Sequence, residues 1–443
     1  MSATVHSGRR SLPCAVPDTP LAGVIAGIET CVHCGFCLQA CPTYVNLEDE
    51  NDSPRGRIVL MRSVVEGELP LDDPSVQTHI DRCLGCRACE TACPSGVPYG
   101  QLLEATRATL RTVRPTPLLG RIILAIFATT SALRVMLGSS RLVRATGLPA
   151  LFARLGGRLG FASAMLASTR NVFPEREYDF GMPGSRGAVA LLQGCVMNGL
   201  FARTNRATRR TLRANDYRIR GAPGQACCGA LHAHAGDLDT ARTLAKRNIE
   251  AFERAGADFI AVNAAGCGAM MKEYGHLLAG DAAWAERAST ISARVRDVSE
   301  LLAAAGPRVG GSLPLRVTYD APCHLLHAQR IATPPLTVLA AIPDVTLIPL
   351  VDSDQCCGAA GIYNLVEPET SNAVLAPKLR HIASTGADWV TTGNPGCLMQ
   401  IGAGLRRAGA RARVIHPIDL LDASYAEASR RTPPDPRSES AEP

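Results

Sequence analysis

The chain of 443 residues is poor in aromatic side chains, which make up 4% of it and include two tryptophans. It holds only three lysines, Lys246, Lys272 and Lys378, so arginine supplies nearly all of its 46 basic residues. This bias reads as genome composition, and the pI of about 8.6 is therefore weak evidence for nucleic acid. Nucleic-acid surfaces interleave basic and aromatic residues within a recognition module, and no such pattern occurs. Nucleic acid is thus not an expected partner. There is no GxGxxG loop after a strand and no P-loop, which excludes flavin, nicotinamide or nucleotide binding by those means. A membrane-crossing helix is missing too. The nearly apolar stretch 118–138 is cut by Arg121 and Arg134, leaving twelve uncharged residues between them. A span needs about twenty. Acidic residues are absent from Ala105 to Pro174, where ten arginines occur. That region reads as a helical connector with an apolar face. The first expectation is a linker buried on the protein's own domains, and the alternatives are a partner subunit or an anionic membrane surface.

Targeting signals are weak. Arg9-Arg10 could open a twin-arginine signal, but Pro13, Pro17, Asp18 and Pro20 interrupt the apolar run it would need. The expected location is the cytoplasm, free or peripheral on the inner face of the cytoplasmic membrane. Disulfides are not expected there.

What the chain has instead is 17 cysteines, sixteen of them in two repeated patterns. Cys31-x2-Cys34-x2-Cys37-x3-Cys41-Pro42 recurs as Cys83-x2-Cys86-x2-Cys89-x3-Cys93-Pro94, 52 positions later. Three cysteines at this spacing wrap one corner of an iron–sulfur cube, and the fourth reaches the other cluster. The expected ligands are Cys31, Cys34, Cys37 and Cys93 for one [4Fe–4S] cluster. Cys83, Cys86, Cys89 and Cys41 would hold the second. Structural zinc sites use two separated pairs and do not fit. The odd cysteine, Cys14, reads as a free thiol in a flexible leader.

The second pattern comprises Cys195, Cys227, Cys228 and Cys267, then Cys323, Cys356, Cys357 and Cys397, with offsets of 128, 129, 129 and 130. So constant an offset marks an internal duplication. Short apolar or β-branched runs precede the cysteines at 188–192, 259–262, 316–319, 345–350 and 389–391, and helix-like stretches lie at 238–255 and 368–384. Alternating strands and helices predict parallel sheets whose post-strand loops share one edge. Four cysteines per half should therefore converge, as a further redox site holding one or two more iron–sulfur clusters or as buried structural cysteines. His232, His234, His324 and His327 lie close to these cysteines in sequence. They are candidates for an acceptor site, or ordinary hydrogen-bonded loop histidines.

The expected fold is an α+β N-terminal ferredoxin-like domain of helices and loops binding two [4Fe–4S] clusters, followed by two duplicated α/β domains around the CCG triplets. The expected boundaries are a flexible leader 1–24, a ferredoxin domain 25–115, a connector 116–185, CCG domains 186–305 and 312–425, and a disordered tail 430–443.

CVHCGFCLQACPTY (31–44), SPRGRIVLM (53–61), HIDRCLGCRACETACPSGVPY (79–99), AGCGAMMKEYG (265–275) and CHLLHAQ (323–329) together resemble the iron–sulfur subunit of bacterial glycolate oxidase. The resemblance covers roughly residues 25 to 425. Related chains are the C subunit of anaerobic glycerol-3-phosphate dehydrogenase and, for the CCG domains, the B subunit of heterodisulfide reductase. In the latter each CCG domain ends in CxxC. Here Met270 and Gln400 stand at those last positions, which argues against that unusual cluster type. The resemblance implies FAD-binding partner subunits that oxidise glycolate to glyoxylate. This chain would not be active alone and would relay electrons to quinone or another acceptor. The alternatives are the same relay in a glycerol-3-phosphate or D-lactate dehydrogenase, and a cysteine-based sensor or scaffold without turnover.

Overall fold

The computed structural model describes residues 14–170, 173–178, 180 and 184–431. One compact unit runs to Thr116 and takes in His234–Asp237, and the remainder forms a second unit.

Helices Pro54–Glu66, Pro74–Asp81 and Tyr99–Leu110 frame the first unit. The first two begin on proline, which lacks the N–H a helix start leaves unpaired. Ser53 caps one by accepting from the Gly56 N–H, and Asp73 caps the other by accepting from Ser75 and Val76. Their apolar faces bury Ile58, Met61, Val76, Ile80 and Leu102 in one core. The α+β expectation needs correction here, because this unit contains no strand among the described residues. The flexible-leader expectation falls partly outside the described residues, over 1–13. Residues 14–24 are tied down: Ala15 donates to the Val65 carbonyl at 2.7 Å, Leu21 donates to Thr109 Oγ1 at 3.0 Å, and Leu21 is fully buried. Cys14 packs against the same core. The tail expectation beyond Arg431 also lies outside the described residues.

The second unit is built on two four-stranded parallel sheets. The first holds β1 (Ala188–Leu191), β2 (Arg218–Arg220), β3 (Phe259–Val262) and β4 (Val295–Asp297) in the order β2-β1-β3-β4. The second holds β5 (Arg316–Tyr319), β6 (Thr346–Ile348), β7 (Trp389–Thr391) and β8 (Arg413–Ile415) in the order β6-β5-β7-β8. The register repeats. Val189 lies between Ile219 and Phe259, and Val317 between Leu347 and Trp389. Central strands are covered on both faces and favour apolar and β-branched residues, which is why β1, β3, β5 and β7 stand out in the sequence. In each sheet the chain steps to one side of the central strand and then to the other. Loops after such diverging strands leave a crevice at their carboxyl ends.

The two halves share a core. Leu301 and Leu302 pack with Val338, Leu339, Leu420 and Leu421. The last helix, Pro417–Arg431, lies against helix Ala202–Ala214 of the first half. Asp422 accepts from Arg210 at 2.8 and 2.9 Å, and Asn215 bonds Tyr425 at 3.0 Å.

The connector forms helices Leu118–Ala128, Thr130–Ala145, Leu148–Phe152 and Gly157–Ser168. The first two are bent by 105° at Thr129, and among the described residues no single helix is long and apolar enough to cross a membrane. Gly120, Leu124, Leu133 and Leu137 are buried. The expectation of a buried linker holds for that side alone, since much of the opposite side is exposed and apolar.

Candidate cysteine-rich redox sites

In the first unit, Cys31–Cys41 forms a loop between helices Ile25–Glu29 and Pro42–Leu47. His33 and Gly35 take positive φ values of 54° and 85° and turn the chain tightly between the cysteines. A Cβ on Gly35 would sit 2.9 Å from Arg55 Nη1. Cys31, Cys34, Cys37 and Cys93 line one cavity, with Cys89, Arg55, Ser95 and Tyr99 also in its wall. Burial, with the neighbouring Cys31 and Cys41 adding to it, pushes the Cys37 thiol up to about 11.

The other four cysteines of this unit also group. Cys89 is buried, and burial followed by the charges of Cys86, Cys83 and Cys41 pushes its thiol well up. The Gly85 N–H points at Cys83 Sγ at 3.4 Å and the Tyr99 hydroxyl at 3.7 Å. Cys41 Sγ lies 3.2 Å from Thr43 Oγ1 and 3.9 Å from Arg57 Nη1. Arg57 is wholly buried and stays protonated against its burial, supported by the charges of Cys83, Tyr99, Cys41 and Asp52. Asp52 is in turn held by Arg57 at 3.1 Å, His79 at 3.0 Å and Arg82 at 3.0 Å. Buried charges persist only when paired this way. The unit thus sets a fixed cation beside Cys41 and within electrostatic reach of Cys83, sulfurs that carry negative charge when they bind metal.

In each half of the second unit, the four cysteines converge. Cys195 follows β1, Cys227-Cys228 follow β2, and Cys267 sits in helix Ala265–Lys272 after β3. Cys195 and Cys227 Sγ are 3.7 Å apart. The sulfurs form a hydrogen-bonded chain in the order Cys195, Cys227, Cys228, Cys267. The second half repeats it as Cys323, Cys356, Cys357, Cys397. Cys227 and Cys356 are held well below the ordinary thiol range, first by the hydrogen bond with Cys195 or Cys323 and then by that with Cys228 or Cys357. Their partners Cys195, Cys228 and Cys357 are pushed up in return. Each buried group therefore carries a sulfur ready to be a thiolate, the form that ligates metal.

The glycine of each CCG triplet has a geometric cause. Gly229 and Gly358 have φ of 91° and 82°. A Cβ there would lie 3.2 Å from the Ala241 carbonyl oxygen and 2.5 Å from that of Ser371. Only glycine combines that backbone with so close a helix.

The surroundings differ between the halves. In the first, Asn248 donates to the Cys227 carbonyl at 3.0 Å and Tyr274 to the Cys228 carbonyl at 2.8 Å. In the second, buried Lys378 meets Asp320 at 2.6 Å and the carbonyls of Asp352 and Ser353 at 3.1 and 3.2 Å. Burial opposes the Lys378 charge, but Asp320 first, then Cys357 and Cys397, raise its pKa. Met270 is packed in the first core. Gln400 is fully buried and bonds Asn364 at 2.8 Å and Ser371 at 2.9 Å.

The starts of the helices bearing Cys267 and Cys397, Ala265–Lys272 and Pro395–Arg407, meet at the seam between the halves. Asn394 donates to Cys397 Sγ at 3.4 Å and accepts from the Gly266 N–H at 3.4 Å. Gln329 donates to the Ala265 carbonyl at 2.9 Å. His416 donates from Nε2 to the Asn263 carbonyl at 3.0 Å and accepts the Ile418 N–H at Nδ1. Burial pushes its imidazolium down to about 4, so it is neutral near pH 7.

The four candidate histidines do not form one group. His232 is fully buried near Cys227, its Nε2 is 3.1 Å from the Leu124 carbonyl, and its Nδ1 has no hydrogen-bond partner. His327 lies 3.1 Å from the Asp354 carbonyl. His324 faces Gly266, where a Cβ would be 3.4 Å from its Nδ1. His234 belongs with the first unit and lies 2.8 Å from Glu104. Sequence reasoning missed Arg57, Asp52, Asn248, Lys378 and Asn394. Only Lys378 carried a signal, as one of three lysines in an arginine-rich chain.

Comparison with known proteins agrees with this geometry. The family described as 4Fe-4S dicluster domain matches residues 27–97, and the family described as cysteine-rich domain matches residues 189–272 and 317–402. The probable glycolate oxidase iron-sulfur subunit of Bacillus subtilis is 37% identical over 415 residues, covering 88% of this chain and 92% of that protein. The glycolate oxidase iron-sulfur subunit of Escherichia coli is 33% identical, covering 89% and 93%. Lactate utilization protein A of Geobacillus thermodenitrificans is 30% identical, but the match covers only 53% of this chain.

Proposed function

The chain belongs to the family of glycolate oxidase iron–sulfur subunits, and from that premise we propose that it relays electrons from a flavoprotein partner that oxidises glycolate to glyoxylate. The observation that carries this reading is the grouping of its first eight paired-pattern cysteines. Cys31, Cys34, Cys37 and Cys93 line one cavity with Cys89 also in its wall, and Cys41 joins Cys83, Cys86 and Cys89 across 42 residues of sequence or more. Cys31, Cys34, Cys37 and Cys93 would hold one [4Fe–4S] cluster, and Cys83, Cys86, Cys89 and Cys41 the other. Such clusters supply one-electron storage, which fits a subunit placed after a two-electron flavin. The chain's own residues do the rest. Arg57 balances buried thiolate charge, Tyr99 and Gly85 donate to Cys83, and the apolar core around Ile58 and Leu102 excludes water. The two CCG groups fit the same chemistry, being buried and each offering four sulfurs. Met270 and Gln400 give no fifth thiol. We assign at least one group a redox centre that faces the acceptor, a quinone. The lactate relative matches little more than half of the chain and favours a lactate partner less.

The test is reconstitution. The purified chain alone should not oxidise glycolate with an artificial dye as acceptor, and turnover should appear when the flavoprotein is added. Glycolate oxidation by the chain alone would end the relay reading.

A further inference from the structure

Among the described residues, twenty large apolar side chains are exposed, and eleven of them lie between Leu118 and Leu159. That segment is about a tenth of the chain, so the exposure is concentrated rather than scattered. It follows from the helices themselves. In Thr130–Ala145, Leu133 and Leu137 face the protein while Val135 and Leu142, seven residues apart, face outward at 72% and 71% exposure. In Leu118–Ala128, Gly120 and Leu124 face inward while Leu118 and Ile122 face outward. The uncovered side of the second helix presents Val135, Leu142 and Val143 among Ser131, Arg134, Ser139 and Arg141, and that of the first presents Leu118, Leu119 and Ile122 beside Arg121.

The charge of the segment is one-sided. It contains no acidic residue. Arg121, Arg134 and Arg154 are exposed beside the apolar side chains and form no ion pair among the described residues. Protein interfaces commonly have a polar rim carrying both signs. Apolar side chains among unpaired cations suit an interface that is hydrocarbon on one side and anionic on the other. The breaks at Thr129 and Gly147 keep the helices short, which suits lying on a bilayer rather than crossing it.

We propose that the connector, residues 118–159, docks the protein on an anionic phospholipid surface, with its outward leucines at the acyl boundary and its free arginines among the phosphates. This deepens the quinone-acceptor reading, because a chain that delivers electrons to a lipid-soluble acceptor must reach the bilayer.

The test uses the full chain and sucrose-loaded vesicles of phosphatidylcholine, with and without phosphatidylglycerol. The chain should sediment with the anionic vesicles, stay in solution with the neutral ones, and be partly released at about 1 M salt. Val135→Glu/Leu142→Glu should weaken retention by on the order of tenfold. Leu336→Glu, at an exposed leucine elsewhere, should leave it unchanged. Circular dichroism would verify that both variants are folded. No retention on anionic vesicles, equal retention on neutral ones, or wild-type retention by the folded double variant would each overturn the proposal. So would loss of flavoprotein binding in the double variant with vesicle binding intact, which would make the patch a subunit interface. Dye-linked turnover with the flavoprotein needs no lipid, so the relay reading and the docking surface can fail separately.

Discussion

The two halves of the second unit share strand order, register and a four-sulfur chain, yet they bury opposite kinds of neighbour. Where the second half has Asp320 and Lys378, the positions 128 and 129 residues earlier hold Leu192 and Ile249, both fully enclosed. The first half supports its cysteine loop with neutral Asn248 and Tyr274. The second does so with an ammonium that bonds two loop carbonyls and lies within electrostatic reach of Cys357 and Cys397. The duplicated frame thus fixes where the sulfurs go and leaves the local charge free to differ. A nearby cation favours the more negative state of any centre built there. The paired Asp320 carboxylate opposes that effect.

The largest effect expected from breaking the comparison is functional. Cys228→Ser and Cys357→Ser, each in the complex with the flavoprotein, should lower quinone reduction by on the order of a hundredfold while substrate still reduces the N-terminal clusters. Electron paramagnetic resonance would follow those clusters. Normal rates in both variants would make the halves structural. Loss in one alone would assign the path to that half.

Next comes stability. Lys378→Met should cost about 3–5 kcal/mol, because it leaves Asp320 buried and unpaired. Asp320→Leu/Lys378→Ile, which copies the apolar pair of the first half, should recover most of that loss. Trp284 lies in the first half and Trp389 in the second, so each reports its own half. Urea unfolding read from Trp389 in a Trp284→Phe background should separate the two variants. Equal losses in single and double variants would show that the ion pair is not what distinguishes the halves.

The smallest effect concerns the triplet glycines. Gly358→Ala and Gly229→Ala should both destabilise, since each φ is positive. The Gly358 variant should be worse by about 1 kcal/mol, because its Cβ would meet a backbone oxygen at 2.5 Å rather than 3.2 Å. Urea unfolding read from Trp389 for the Gly358 variant and from Trp284, in a Trp389→Phe background, for the Gly229 variant would measure the difference, and equal costs would mean that helix Pro368–Thr385 shifts more easily than its counterpart.

Much of this architecture was legible because it depends on periodic or repeated signals. The central strands are apolar or β-branched runs, and helices Leu238–Ala255 and Pro368–Thr385 carry helical spacing. Among the edge strands β6 fell within the 345–350 run, but β2 and β8 were not legible. β2 is Arg-Ile-Arg and β8 is Arg-Val-Ile, short and half solvated, with no apolar run to mark them. The convergence of four cysteines per half followed from parallel topology. The charges that tune them did not, because Asp52, Arg57, Asp320 and Lys378 become partners only after folding brings distant segments together. The histidines erred in the other direction. Nearness to the cysteines in sequence suggested one group, but His234 turns toward Glu104 and His232 toward the Leu124 carbonyl. The connector's exposed side was half legible, because apolar composition does not say which face finds a neighbour.

The connector has one further property. From Leu118 to Arg170 its only ionisable side chains are arginines, with no lysine, histidine, cysteine, tyrosine, aspartate or glutamate among them. A guanidinium does not lose its proton in any physiological range. The segment's charge is therefore constant through acid stress or alkaline shift, and lysine acetylation has nothing there to neutralise. Whatever this face attracts, it attracts with a strength that ionic strength and the composition of the opposing surface can change and that protons cannot.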